Sequence, residues 1–477
     1  MTAEPRKSET KNVTWPQWVG GVGVSLLLLQ LGLMAAWTSP YVARLLSGES
    51  IITITTDEAS WIVSLLNLGR LFGAFIGAFC VNYTGSKTSI MISSIPMSLH
   101  WFFYIIANNV MWLYLARFLG GMGMGMCYSC FSLYLGEIAD PKIRGALVTL
   151  GITGTSSGNL IISIMGAYLS LWVSSLINLS LSLILMALFI WLPDTPHYLV
   201  QKKDEEKARK AILWYHRNCN VEAEYTTLKK FIESCNTGST IQGLKEFKVP
   251  QIRKAMMVTI MLFLFAQMCG LNNILFYMET ILRSAQVTVI EPSIIVIITM
   301  SSGIVASLVS MTLIDSFGRK FLMCFSCTIV SIALIGLGTQ FQLLESGVDP
   351  AVIQWLPIVS VILFQVAAFA GLLAVPSAVV GEIFPPSVKC VAASISSIAA
   401  ALFSFISAST YQVFVNLMTE KYTFWMYSVL LIIAIPSTLI FLPETKGKSL
   451  QEIQDYLMKR RVTEVKTERV EEGVTRY

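Results

Sequence analysis

A chain of 477 residues, 54% hydrophobic and only 13% charged, with a formal net charge of +5, is too apolar to fold as a water-soluble globule, where about a quarter of residues carry charge. Its solvent is largely lipid. The small positive excess sits on loops that face anionic lipid, so it does not call for a nucleic-acid partner.

From the amino terminus, residues 1–16 read as a polar tail without the short apolar core and small-residue cleavage site of a removable signal peptide. Charges are then absent from 12–43, 88–116, 145–193, 255–278, 292–314, 321–344, 350–381, 390–419 and 422–443. Each stretch holds at least one run of about 20 residues, enough to cross a hydrocarbon core of about 30 Å as a helix. Lipid requires helices here, because an exposed backbone must satisfy its own hydrogen bonds. Division at charges, prolines and polar turns predicts twelve helices, beginning near 17, 59, 88, 111, 145, 172, 255, 291, 321, 352, 388 and 422. All of the 34 lysines and arginines except Arg44, Arg70, Arg117, Arg283 and Lys421 then fall on the side of the two termini. That bias makes both termini cytoplasmic. The nine cysteines lie in helices or cytoplasmic segments, and Asn12, Asn82 and Asn178 head glycosylation triplets that the same topology keeps from modification.

A long charged loop separates six helices from six, and its start, Lys202 to Lys207, reads as short surface helices. The halves repeat one another. Asn82-Tyr83-Thr84-Gly85-Ser86-Lys87 follows helix 2 as Asp315-Ser316-Phe317-Gly318-Arg319-Lys320 follows helix 8. Glu137 precedes Arg144 as Glu382 precedes Lys389, and Pro193-Asp194-Thr195 matches Pro443-Glu444-Thr445. The expected organisation is a tail (1–16), a six-helix bundle (17–192), a cytoplasmic linker (193–254), a second six-helix bundle (255–442) and a cytoplasmic tail (443–477). This is an all-α membrane protein of two pseudo-symmetric bundles, an architecture whose binding sites lie near the midplane between the repeats.

Taken together and in order, Ala36-Trp37-Thr38-Ser39-Pro40, Arg117-Phe118 with Gly121, Gly123 and Gly125, Glu137 to Arg144-Gly145, Asp315 to Lys320, Gly381-Glu382-Ile383-Phe384-Pro385 and Pro443-Glu444-Thr445-Lys446-Gly447 resemble the sugar porter branch of the major facilitator superfamily. The variant they are most similar to is the insect facilitated trehalose transporter group. The resemblance runs from helix 1 to about Ile453. It implies a facilitator for glucose or trehalose in the plasma membrane, working by alternating access, needing no cofactor or metal and functional as a monomer.

By that resemblance Gln267, Asn272 and Tyr277 belong to the substrate site, with Gln30, Thr149, Thr153, Ser156 and Ser377 as small polar groups that replace missing amides. Buried amides pair donors and acceptors with sugar hydroxyls; amides bonded to other helices are the structural alternative. The family's amides are lost at Ile152, Ala266, Gly303 and Ala400. Glu137, Arg144, Asp315, Arg319, Glu382 and Lys389 are implied to form a cytoplasmic gate whose ion pairs are made when the carrier opens outward, weakened in the first half where Tyr83 and Ser86 replace basic residues.

Two intramembrane arginines stand out. Arg117 aligns with an arginine that partners a helix 1 aspartate in proton-coupled members, but Met34 occupies that place and 12–43 holds no carboxylate. Passive transport is expected, with Glu279 read as an interfacial carboxylate. Arg70 has no family counterpart and lies near mid-bilayer, where a charge costs at least about 2.5 to 3.5 kcal/mol. It is either a structural or snorkelling group, or it faces the cavity and admits an organic anion; a non-transporting nutrient receptor is the further alternative class. Enzyme readings find no support, since His100, His197 and His216 lack triad partners, and the pairs Cys127/Cys130 and Cys324/Cys327 read as packing residues rather than redox or zinc sites.

Overall fold

The structure, a computed structural model, describes residues 14–48, 52–217, 219–235, 247, 249–446 and 452. Gly447 and most of both expected tails lie outside those residues. The first half contains α1 (Trp15–Ala36), α2 (Thr38–Ser47), α3 (Thr56–Thr84), α4 (Ser86–Ile106), α5 (Val110–Ile138), α6 (Pro141–Tyr168) and α7 (Leu171–Trp191). Between the halves come α8 (Pro196–Gln201), α9 (Glu205–Tyr215) and α10 (Val221–Cys235). The second half contains α11 (Pro250–Met268), α12 (Leu271–Ser284), α13 (Pro292–Phe317), α14 (Arg319–Glu345), α15 (Pro350–Ile353), α16 (Trp355–Ala367), a π-helical turn at Ala368–Leu372, α17 (Ala374–Ile383) and α18 (Pro386–Phe441).

Twelve spans follow from these helices. α1 and α2 share one span across a break at Trp37, α11 and α12 share another across Gly270, and α15 to α17 form a third. α18 has 56 residues and as one straight rod would reach about 84 Å, far beyond a core of about 30 Å. Thr419, at φ 71° and ψ 164°, folds it back into two spans. Such a φ at a β-branched residue marks a turn that tertiary packing imposes. The starts expected near 145 and 255 come earlier, at Pro141 and Pro250, because proline at the first helical position begins a helix without losing a backbone bond.

Glycine sets the packing of the first bundle. A Cβ at Gly69 or Gly73 of α3 would run into the carbonyls of Phe118 or Met122 on α5, and one at Gly121 or Gly125 of α5 would run into those of Leu66 or Arg70. Gly32 faces Thr155 and Gly158 between α1 and α6 in the same way. Small residues let the backbones touch, so the glycines of α5 serve helix packing.

The linker differs from simple surface helices. Leu199, Val200, Ala208, Ala211, Ile212 and Tyr225 make a small core of their own, while exposed pairs such as Lys210–Glu206 and Arg209–Glu205 face water. Its Tyr215 is anchored in the first bundle: the hydroxyl donates to Pro193 O at 2.9 Å and lies 3.2 Å from the Tyr134 hydroxyl, and Gln17 Nε2 donates to Tyr215 O at 3.1 Å.

The duplicated turns keep one backbone and two chemistries. Gly85 and Gly318 adopt φ of 82° and 89°, a region open to glycine. After Gly85, Ser86 Oγ donates to Glu137 Oε2 at 2.5 Å, and Lys87 pairs with Asp194 at 3.4 Å. After Gly318, Arg319 binds Glu382 Oε1 through Nη2 at 2.7 Å and Nε at 3.1 Å, Thr445 Oγ1 donates to Glu382 Oε2 at 2.5 Å, and Glu444 accepts the backbone N–H groups of Arg319 and Lys320 at 3.1 Å each. The first half thus carries a hydroxyl where the second carries a guanidinium.

Four hydrogen bonds described between the bundles lie at mid-depth or toward the side away from the termini: Glu279 N to Ser39 Oγ (3.1 Å), Ser404 Oγ to Asn67 Oδ1 (2.7 Å), Arg70 Nη2 to Ala400 O (3.2 Å) and Ser156 Oγ to Ser307 Oγ (3.4 Å). On the terminal side Arg144 and Lys389 are exposed, and Gly136, Gly145 and Gly381 have no neighbouring atom within 4 Å of an added Cβ. No hydrogen bond between the bundles is described on that side among the described residues. The Arg319–Glu382 pair is internal to the second bundle. Arg144 donates to the carbonyls of Gly136 and Ala139, not to Glu137; the Asp315 side chain lies outside the description.

Gly125→Val is expected to destabilise the fold by at least about 1 to 3 kcal/mol, as overpacking does, because the atom it meets is backbone. Gly136→Val, against open space, leaves stability unchanged. The midpoint of thermal unfolding in detergent checks the pair of variants.

Burial alone would raise the Glu444 carboxyl, but backbone N–H donors from Lys446, Arg319 and Lys320 outweigh it and hold the group below the usual glutamate range. A depressed carboxylate stabilises the fold above its unfolded value of about 4.3, and that contribution is lost as pH falls through the folded value. The difference in unfolding midpoint between the natural chain and Glu444→Gln is therefore expected at neutral pH and to shrink below about pH 4.

Candidate functional site

An interior helix break leaves backbone groups that lipid cannot satisfy. At the break between α1 and α2, Arg117 of α5 donates through Nη1 to Met34 O at 2.7 Å and through Nη2 to Thr38 Oγ1, with its guanidinium 4.5 Å above the Trp37 ring. Arg117 and Trp37 are fully buried. Trp37 also stacks on Tyr104 with ring centroids 4.4 Å apart. The position expected to be a carboxylate in a proton-coupled carrier is thus a carbonyl acceptor here.

A second interruption lies at Gly270. Gly270 has φ 80° and opens α12, against the Tyr427 ring. This places Asn272 and Asn273 in the first turn of α12 beside the end of α11. Asn272 Nδ2 donates to Gln267 Oε1 and to Ser404 Oγ, each at 2.7 Å, and Ser404 in turn donates to Asn67 Oδ1 of the first bundle at 2.7 Å. Four residues make one polar line from α11 to α3. Asn273 is structural instead, donating to Ser407 O and Oγ (3.1 Å each) and to the Tyr427 hydroxyl (3.0 Å).

Of the residues expected at the site, Gln267 and Asn272 meet directly. Tyr277 stacks on Tyr411 at 5.0 Å and is nearly buried. Gln30 is withdrawn from any cavity: it is fully buried, accepts from Trp101 Nε1 at 2.9 Å and donates to Asn178 O at 3.2 Å, all within the first bundle. Thr149, Thr153 and Ser377 turn their hydroxyls back to the carbonyls of Gly145, Thr149 and Leu373, and Ser156 reaches Ser307 across the bundles. Glu279 is itself 3% exposed and accepts at 2.9 Å from Arg283, whose side chain is 41% exposed.

Arg70 is half-buried midway along α3, and among the described residues it holds a carbonyl, not an acid. Its place is the boundary between the bundles. Asn67 and Ser404 went unanticipated in the sequence; the available signal is an amide one helical turn before Arg70, on its face of α3. Gln365 is likewise unanticipated, and its side chain lies beside Gly303, where an amide of the family is missing. No cluster of metal-ligating side chains occurs among the described residues.

With this geometry in hand, comparison with known proteins places the chain. Residues 17–457 match the family described as "Sugar (and other) transporter". The facilitated trehalose transporter Tret1 of Bombyx mori is 29% identical over 94% of this chain and 88% of its own length. The protein of that name in Anopheles gambiae is 28% identical over 94% of this chain, which spans only 56% of that longer relative. In architecture the chain is similar to the proton:xylose symporter XylE of the major facilitator superfamily, solved with 6-bromo-6-deoxy-D-glucose, at a TM-score of 0.73 and 18% identity, covering 92% of this chain and 99% of the other. The twelve-span, two-bundle fold is that of the major facilitators, and the chain belongs to the Sugar (and other) transporter family.

Proposed function

We propose that this protein is a passive sugar carrier of the cell membrane, working by alternating access between its two bundles, with both termini cytoplasmic and a single chain as the working unit. Trehalose, the sugar in the names of its relatives, and glucose are the leading substrates. The single observation that carries this reading is the amide line Gln267–Asn272–Ser404–Asn67 at the Gly270 break. Amides held at a helix interruption between two bundles are donors and acceptors that a polyhydroxyl ligand can take in pairs. On this reading the described bonds between the bundles lie on the outer side and at mid-depth, and the carrier is open toward the cytoplasm.

Arg117 supports passive transport. In a coupled carrier its guanidinium would face an acid that gains and loses a proton; here it is spent on Met34 O, Thr38 and Trp37. Nothing in that set titrates near neutral pH. The residues Glu382, Arg319 and Glu444 would serve the gate by fixing the cytoplasmic ends of α13, α14 and α17 as one block, leaving exposed Arg144 and Lys389 to meet the opposite bundle when that side closes.

Radiolabelled uptake in oocytes tests the substrate class across trehalose, glucose, fructose, polyols and monocarboxylates. Absence of flux for every solute, despite surface expression, would refute a carrier. Any transport is expected to stop at equal concentrations and to ignore protonophores. Accumulation above equilibrium that collapses with the pH gradient would contradict that.

Gln267→Ala or Asn272→Ala is expected to weaken apparent affinity about tenfold, the effect of about 1.4 kcal/mol, with unchanged surface expression. One lost bond contributes about 0.5 to 1.5 kcal/mol, more where a buried partner is stranded. An unaltered affinity in both variants would remove these residues from the site.

A further inference from the structure

Two rungs join α3 to α18 at mid-depth. Ser404 Oγ donates to Asn67 Oδ1 at 2.7 Å, and Arg70 Nη2 donates to Ala400 O at 3.2 Å. The spacing is that of helix neighbours: Asn67 and Arg70 are three apart on one helix, Ala400 and Ser404 four apart on the other, so each pair shares a face. The opposite flank of the boundary, between α6 and α13, carries Ser156 and Ser307 at 3.4 Å. Of these two flanks, the α3–α18 side carries the shorter and more numerous hydrogen bonds.

The same seam is wired to the amides. Asn272 Nδ2 has two protons, and both are engaged, one on Gln267 and one on Ser404. A ligand oxygen that reaches Nδ2 must displace one of them. Ser404 has a single proton, which it gives to Asn67, so its hydroxyl is polarised by Asn272 on one side and donates on the other. Asn67 itself is 2% exposed, and its Nδ2 has no partner among the described residues. A buried donor left unpaired costs free energy, so the joined state is not fully satisfied and is poised to rearrange.

We propose that the α3–α18 seam is a ligand-released latch: a ligand that takes Asn272 from Ser404 weakens the Asn67 rung, and with the Arg70–Ala400 rung it lets the outer ends of α3 and α18 part. This rests on the sugar-carrier reading only for the identity of the ligand. Arg70 then has a role as a positioning residue that holds the bundles in the cytoplasm-open state, through a guanidinium that reaches the partner helix without an acid to neutralise it. Substrate occupancy is felt first on one flank, and bundle separation starts there.

Hydrogen–deuterium exchange on the full chain in lipid nanodiscs tests this, with the natural sequence, Arg70→Met, Ser404→Ala and Ser156→Ala. Loss of a rung is expected to speed exchange at 56–66 and 405–418 by about fivefold, the factor for roughly one hydrogen bond, in Arg70→Met and Ser404→Ala. Ser156→Ala is expected to leave both segments unchanged. In the natural chain, saturating trehalose or glucose is expected to speed the same segments, and Ser404→Ala to lose that response. Unchanged exchange in both seam variants, each eluting as a monodisperse species, overturns the latch with no sugar involved, so that failure is separate from failure of the carrier reading. Seam variants that open while neither sugar acts on a natural chain shown to transport it overturn release by ligand.

Discussion

A backbone in lipid has no water to satisfy it, and this one constraint organises the molecule. Irregular backbone is met by side chains of neighbouring helices: Arg117 at the Met34 carbonyl, Ser326 at the π-helical turn, where it donates to Ala367 O at 2.5 Å and accepts from Leu372 N at 3.0 Å, and Ser310 at Ala370 O at 2.7 Å. Irregular backbone survives at membrane depth only beside protein or a water-filled cavity. The breaks at Trp37 and Gly270 flank the boundary between bundles, so the groups that stabilise them are also the groups nearest the candidate site. Structure and function share their polar residues here because lipid leaves so few places for them.

The two halves answer the same architectural demand differently. The first bundle is welded by glycine contacts between α3 and α5 and between α1 and α6, backbone against backbone. The second uses side chains at its terminal end, where Arg319, Glu382, Glu444 and Thr445 form one hydrogen-bonded block. A rigid first bundle and a cross-linked second one suit a mechanism in which each moves as a body and only the boundary rearranges. The matching block of the first half has Ser86 in place of a guanidinium, and its terminal end is held as well by Tyr215 of the linker, whose carbonyl accepts from Gln17 of α1.

At the boundary, bonds are few and unequal. Glu279 N meets Ser39 toward the side away from the termini, one flank has a guanidinium and an amide, and the other a single long contact between hydroxyls. Each is worth about 0.5 to 1.5 kcal/mol net, a scale at which a bound ligand can shift the balance between two arrangements. A boundary made of hydrophobic core alone would lack that sensitivity to a polar solute.

Depth and order were legible in the sequence. Charge-free runs located the spans, and the turn pairs at Gly85 and Gly318 revealed the duplication, because each depends on local chemistry and on the thickness of the bilayer. Azimuth was not. A span apolar nearly all round has no amphipathic stripe to say which face meets which helix, so Gln30 looked available although Trp101 and Asn178 consume it, and Asn67 and Ser404 passed unnoticed although they connect the bundles. Arg70 was visible as a charge at mid-depth, but its partner is a carbonyl 330 positions away. Composition and period determined that this chain crosses lipid twelve times in two related halves; only tertiary packing decided which polar groups bind each other and which remain for a solute, since that choice depends on contacts between helices far apart in the chain.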